Sequence, residues 1–362
     1  MLCAGGEGNN VSERSPDGDT ASHVSLRDVA EHAGVSFQTV SKVLQGAGRA
    51  APATRQRIFD AAAELGYRPN TLARGLATRR TRTIGFIASG LASFVLDPLM
   101  RGAEREARAQ GYFTIIALAE GDEEQAERLI HELIERRVDG IISAALTLQQ
   151  NRRYGELLRR LAPTVCIFPV HGGGLSLVGE DPPLIGLLAT QHLVTLGHRR
   201  IATIVGVVDR PGVSGRFRGY QQALEEAGLA VDPELVDVGH WTPEGGYDAM
   251  HRLLDHAPGI TAIFAHNDHM AIGAIRALHE RGLRVPDDVA VVGCDDIDLA
   301  CYVVPSLTTV RISFERSGET AVRLLLDRLG EPHREPERVI PPIELVVRAS
   351  CGHSPNGQTQ PQ

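Results

Sequence analysis

Lysine is nearly missing from this chain of 362 residues: Lys42 stands alone against 36 arginines. Aromatic residues make up only 4%, with one tryptophan, Trp241. The five cysteines, Cys3, Cys166, Cys294, Cys301 and Cys351, are scattered, odd in number and free of any CxxC or metal-ligand spacing. Such a set argues against a disulfide framework or a zinc module and fits a reducing compartment. No apolar run reaches the roughly 18 residues that a membrane-spanning helix needs. The first 21 residues have neither the basic nor the apolar stretch of a secretory signal, so a cytoplasmic protein is expected.

What the chain does have is an ordinary globular composition, 43% hydrophobic and 23% charged, and a length that predicts two or three domains. Its net charge of -8 is unevenly spread. Residues 22–82 hold ten Lys/Arg against four Asp/Glu, an excess of +6 that leaves -14 for the remainder. One small region is built to meet an anion. Helical periodicity there predicts three short helices, over Leu26–Ala33, Phe37–Leu44 and Thr54–Leu65, with Pro52 near the start of the third. The polar, basic stretch RPNTLARGLATRRTRT that follows reads as a linker with one marginal helix, Thr71–Ala77.

From Thr83 onward, short apolar runs such as TIGFIA, YFTIIALA and VDGIISAA alternate with amphipathic segments such as EEQAERLIHELIERR. A second series follows, with HRRIATIVGV, SGRFRGYQQALEEAG and DVAVVGCDD among its parts. This alternation is the signature of parallel sheets covered by helices on both faces. The predicted fold class is α/β: an all-α headpiece, then two doubly wound subdomains facing one another across a cleft. Expected boundaries are 24–69 for the headpiece, 70–82 for the linker and 83–353 for the core. Residues 1–23 are expected to be a disordered extension, or to precede a true start near Val24, and 354–362 a flexible tail.

Within the basic region, DVAEHAGVSFQTVSKVL (Asp28–Leu44) breaks a helical pattern with AGVS and restarts it at once. Leu26, Val29, Ala30 and Ala33, then Val40, Val43 and Leu44, give two helices an apolar face each. Gly34 supplies a tight corner and Ser36 a cap, which makes a helix-turn-helix. Outside the second apolar stripe lie Phe37, Gln38, Ser41, Lys42 and Gln45. Gln pairs with an adenine edge and Lys donates to guanine, so this helix suits the major groove. An ordinary α-hairpin can carry the same GVS turn; the adjoining basic excess favours DNA.

SLRDVAEHAGVSFQTVSKVLQG and TRQRIFDAAAELGYRPNTLARGL resemble the DNA-binding headpiece and hinge of the lac repressor (LacI) family of bacterial transcription regulators. HLVTLGHRRIATIVG, FAHNDHMAIGAIRAL, DVAVVGCDDIDLACYVVPSLTTV and SFERSGETAV extend the likeness through almost all of residues 25–350. The resemblance implies a repressor that binds a palindromic operator as a homodimer at the nucleoid, under allosteric control by a small polar effector, most simply a sugar. It places Phe37, Gln38 and Lys42 as base readers, and Ser36, Thr39 and Ser41 against phosphates. It makes Asn70–Leu76 a hinge helix, with Leu76 wedged into a minor-groove step and Arg74 beside it on phosphate. In the core it places Arg216, Asn267 and Asp295 on ligand hydroxyls, with Trp241 and Phe314 as apolar walls. A cofactor and a metal are not expected.

Each placement has a plainer reading beside it. Leu76 can cover a small apolar patch, and Arg216 can pair with a surface acid. Asp295 and Asp296 suggest a glycosidase pair, but neighbours on an extended strand face opposite ways, so one should face the cleft and the other pair elsewhere. His266 and His269 in HNDH lack further ligands for a metal. The chain also departs from the family pattern, with SFVL at Ser93–Leu96 and Asp181-Pro182-Pro183 where stacking and amide contacts are usual. The competing function is a two-lobed small-molecule-binding protein or sugar enzyme, which leaves residues 25–82 unexplained.

Overall fold

The structure is a computed structural model that describes residues 24–44, 50–68, 80–89, 95–119, 123–206, 211–331 and 333–352. The expected extension, the hinge segment with Asn70, Arg74 and Leu76, and the C-terminal tail lie outside the described residues. Contacts divide the chain into two units, residues 1–77 and 78–362.

The first unit contains α1 (Leu26–His32), α2 (Phe37–Leu44) and α3 (Pro52–Glu64). Ser25 and Asp28 satisfy the first amides of α1 reciprocally: Ser25 N donates to Asp28 Oδ2 at 2.7 Å, and Asp28 N to Ser25 Oγ at 3.4 Å. Helix α3 starts two residues before the expected Thr54, because proline's missing N–H is no loss in a first turn. Val29, Ala30, Ala33, Val40, Val43, Ile58 and Ala61 form the buried core of this unit. Arg57 Nε donates to the carbonyl of Ala33 at 2.8 Å and so closes the C-terminal end of α1.

The second unit has two lobes. The first lobe is built by β1 (Thr83–Ala88), α4 (Leu96–Ala109), β2 (Phe113–Leu118), α5 (Glu123–Glu135), β3 (Gly140–Ala144), α6 (Arg152–Leu161), β4 (Thr164–Cys166) and β5 (Ser176–Val178). The second contains α7 (Pro182–Thr195), β6 (Ile201–Val205), α8 (Pro211–Glu226), β7 (Val236–Val238), α9 (Pro243–His256), β8 (Ala262–Ala265), α10 (Asp268–Glu280), β9 (Ala290–Asp295) and β10 (Thr308–Ile312). The chain then returns to the first lobe with α11 (Phe314–Gly330) and β11 (Arg338–Val339) before β12 (Ile343–Val346) closes the second.

The sheet orders are β11-β5-β4-β3-β1-β2, all parallel, and β12-β10-β9-β8-β6-β7, with only β12 antiparallel. Alternation along each strand serves two helical layers. Ala202, Ile204, Ile263, Ala265 and Val291 enter the core under α9 and α10, while Ile201, Ala262, Phe264, Ala290 and Val292 enter the one under α7 and α8. In the first lobe Ile84 and Phe86 face one core and Ile87 the other.

The two predicted series therefore exist but are not simply consecutive. The chain crosses between lobes three times, near residues 179–181, 313 and 340–342. Each crossing leaves the carboxyl end of a parallel strand. It enters a helix that runs antiparallel to the next sheet, or the antiparallel β12. All three thus join carboxyl edge to carboxyl edge, and the two sheets face one another by those edges. Ligands of open α/β sheets bind at such edges, where the strand order reverses. In the second lobe that reversal lies between β6 and β8.

Candidate functional site

In the headpiece, Gly34 takes φ +61°, the left-handed corner that lets α2 follow α1 after a short turn. Ser36 Oγ accepts from Thr39 N at 3.2 Å and lies 2.8 Å from Thr39 Oγ1, capping α2. With Val40 and Val43 buried, Ser36, Phe37, Gln38 and Lys42 are exposed, and Thr39 and Ser41 partly so. The face that carries Gln38 and Lys42 is thus the face opposite the core. Phe37 is 49% exposed, a large apolar ring offered to solvent at the start of the helix.

In the core, Arg216 organises the cleft from α8. Its guanidinium donates through Nη1 to the carbonyl of His266 and through Nη2 to Glu180 Oε2 at 2.8 Å, with Asp295 Oδ1 3.5 Å away. Its Cζ lies 5.6 Å from the centre of the Trp241 ring, within cation–π range. Burial opposes the Arg216 charge, but acidic neighbours, Glu180 and Asp295 among them, outweigh it and raise its pKa. For Asp295 burial dominates, and its carboxyl is held well above the usual range.

Local backbone places each group. Close packing of α7 on α8 fixes Arg216: a methyl on Gly186 would lie 1.9 Å from the Arg216 carbonyl oxygen, and one on Gly219 would lie 2.0 Å from that of Pro183. The two prolines that replace the usual amide residue sit in the first turn of α7, capped by Asp181 Oδ1, which accepts from Leu184 N at 3.2 Å. Trp241 follows β7 in a left-handed turn, with His240 at φ +52° and Trp241 at +64°, and its ring lies flat on Gly206 at the end of β6. Asn267 caps α10 by accepting from Met270 N at 2.9 Å and donates from Nδ2 to the carbonyl of Trp241 at 3.1 Å.

Arg216, Asn267, Asp295 and Trp241 are thus brought together. Phe314 stands at the second crossing, where its ring packs into the cores of both lobes. Asp295 and Asp296 diverge as expected, though not by the pleat. They leave β9 with φ of +106° and +56°, and this left-handed kink turns Asp296 away to Arg311 Nε and Arg348 Nη2, each at 2.6 Å. His266 is fully buried with both ring nitrogens unpartnered, and burial first, then Arg216, depresses its pKa well below the usual histidine value. Among the described residues no group of three His, Cys, Asp or Glu side chains is placed to hold a metal ion.

Two acids were not singled out from the sequence. Glu180 precedes Asp181 at the first crossing and is the closest acid to Arg216. Asp268, fully buried, accepts from Ile297 N at 2.9 Å and Thr309 Oγ1 at 2.6 Å, tying α10 to β10 and to the turn after β9. Burial pushes its carboxyl up to about 7. A usable signal was there for Glu180: an acid directly after the apolar run LSLVG, at a strand's carboxyl end.

Residues 25–70 match the family model for bacterial regulatory proteins of the lacI family, and residues 190–351 the one for a periplasmic binding protein-like domain. The ribose operon repressor of Escherichia coli (strain K12) is 36% identical over 330 residues, covering 90% of this chain and 99% of that protein. A lac repressor dimer bound to operator and the anti-inducer ONPF has a TM-score of 0.80 at 30% identity, covering 91% of this chain and 99% of the other. A complex of the transcriptional regulator CelR with cellobiose has a TM-score of 0.69 at 36% identity, covering 90% and 99%. These relatives are transcription regulators, not enzymes. With an exposed recognition helix on one unit and a polar cleft between two α/β lobes in the other, the chain belongs to the lacI family of bacterial regulatory proteins, DNA-binding repressors with an effector-binding core.

Proposed function

We propose that this regulator binds a palindromic operator as a homodimer in the cytoplasm and that a small polyhydroxylated effector, a sugar, controls the binding from the Arg216 cleft. The observation that carries the reading is Arg216 itself: a buried guanidinium beside the Asp295 carboxyl group, with the face of Trp241 alongside. Charged donors and acceptors suit ligand hydroxyls, and an indole face suits the C–H side of a sugar ring. The relatives named for the ribose operon and bound to cellobiose favour the same class. On the DNA side, Gln38, Lys42 and Phe37 read bases, and Ser36, Thr39 and Ser41 contact phosphate. From the family pattern, Asn70, Arg74 and Leu76 form the minor-groove hinge.

An exposed apolar stretch on the core supports the dimer: Leu299, Tyr302 and Val304 stand on the loop after β9, with Val304 90% exposed. Side chains of this size on one monomer mark an interface, and pairing two headpieces makes the second DNA contact nearly intramolecular.

The test is a titration of the operator complex with a sugar panel that includes ribose and cellobiose, for wild type, Arg216→Ala and Asp295→Asn. Operator affinity is expected to stay near wild type while the effector response moves by roughly ten- to hundredfold, the loss of one buried charge-assisted hydrogen bond. Variants that respond at wild-type concentrations refute the assignment.

A further inference from the structure

The cleft's charge is set by a residue outside the Arg216–Asp295 pair. Glu180 Oε2 accepts from Arg216 Nη2 at 2.8 Å, closer than Asp295 at 3.5 Å. Glu180 is not a surface side chain that happens to swing this way. Its segment is pinned by β11: Gly179 N donates to the carbonyl of Val339 at 3.0 Å, and Arg338 Nη2 to the carbonyl of Glu180 at 3.3 Å. Its carboxylate stays 23% exposed while Arg216 is almost wholly buried, so it covers the guanidinium on the solvent side.

We propose that Glu180 is a specificity-determining residue: its carboxylate occupies the edge of Arg216 where a ligand anion would dock, and so makes the cleft reject phosphorylated or carboxylated metabolites while admitting uncharged polyols. The inference rests on reading the Arg216 cleft as the effector site. Arg216 is the sole described cation in this cluster and is matched by two carboxyl groups. Whether or not Asp295 is protonated, the cluster has no net positive charge. His266, buried and held neutral, supplies none. An entering phosphate meets a like charge within a few ångströms in a poorly solvated site, where repulsion is strong. A hydroxyl meets no such repulsion, and can accept from Arg216 while donating to either carboxylate.

The experiment uses full-length protein without DNA and inorganic phosphate as the probe, read by the fluorescence of Trp241, the chain's only tryptophan and a neighbour of Arg216. Trp241 belongs to the second unit and not to the basic headpiece. Glu180→Gln is expected to bind phosphate at least about tenfold more tightly than wild type. The gain should vanish in the Glu180→Gln, Arg216→Ala double variant. Glu180→Asp, which keeps the charge, should remain as blind to phosphate as wild type and guards against a Gln variant that folds poorly. Equal phosphate affinity in wild type and Glu180→Gln overturns the proposal, as does a gain that survives loss of Arg216 or appears equally in Glu180→Asp. Because no operator is present, this outcome is separate from whether the cleft regulates DNA binding.

Discussion

The contact between Gly206 and Trp241 offers the most direct test of the cleft's construction. A methyl added to Gly206 would lie 1.9 Å from Trp241 Cε2 and 2.3 Å from Cδ2 and Cζ2. Ordinary carbon contacts need about 3.5 Å or more, so in Gly206→Ala the ring must retreat by roughly 1.5 Å. Gly206 does not require a left-handed φ, so backbone strain adds nothing. The cost is overpacking, about 1–3 kcal/mol, together with the weakened cation–π contact to Arg216, about 0.5–2 kcal/mol. A total of about 1.5–5 kcal/mol lowers the melting temperature of a unit this large by about 3–10 °C. Since Trp241 is the only tryptophan, its emission reports the displacement directly and should shift to the red. Effector affinity should fall with it. An unchanged emission maximum with an unchanged melting point would refute the packing described for the cleft.

Gln38→Ala and Lys42→Ala should each cost about 1–3 kcal/mol on the cognate operator and much less on random DNA, measured by gel shift at fixed salt. Equal losses on both DNAs would reassign them to phosphate positioning. Asp268 titrates in the fold near 7 rather than at the usual 3.8, so the unfolded chain gives up this proton first. The stability it contributes is therefore full below about pH 4 and is lost as pH rises towards 7, on the order of 3–4 kcal/mol. Melting curves of wild type and Asp268→Asn should lie closest at low pH and separate as pH rises, because only wild type loses stability by ionising a buried carboxyl; a constant difference would show that Asp268 is ionised throughout. Phe314→Ala should cost somewhat less than the about 3–5 kcal/mol of a fully buried phenylalanine. It should also raise hydrogen exchange at 179–181 and at Ile340, which unchanged exchange there would contradict.

Much of this architecture is legible in the sequence because its signals are local. Gly34 and Ser36 mark the break between α1 and α2, and unbroken apolar runs such as TIGFIA and AIFA mark strands buried on both faces. What stays hidden is long-range. The amphipathic run from Phe314 to Gly330 declares a helix, but nothing in it says that it covers the first lobe rather than the second. Strands β5 and β11, three and two residues long, are too short to carry a period. Asp295 and Asp296 leave their strand through a left-handed kink, held by Arg311 and Arg348 from distant parts of the chain, which the run VVGCDD does not announce. Glu180 was overshadowed by the prolines that follow it, since its meaning depends on Arg216, 36 residues away in the chain.

The three crossings decide how occupancy of the cleft is transmitted. Since each joins the facing edges of the two sheets, any rotation of one lobe on the other is absorbed by backbone torsions at these few positions. The first crossing carries Glu180, clasped by Arg216; the third lies against it through the hydrogen bonds of Val339 and Arg338. The second begins with Phe314, whose ring is shared by both cores. On the proposed reading, a ligand at Arg216 acts on the first crossing at its own binding site, with no intervening chain of contacts. It acts on the lobes only to the extent that Arg216 prefers the ligand to Glu180 in one arrangement over the other. On the proposed reading, the ion pair that sets which ligands enter also ties the ligand's site to the first crossing.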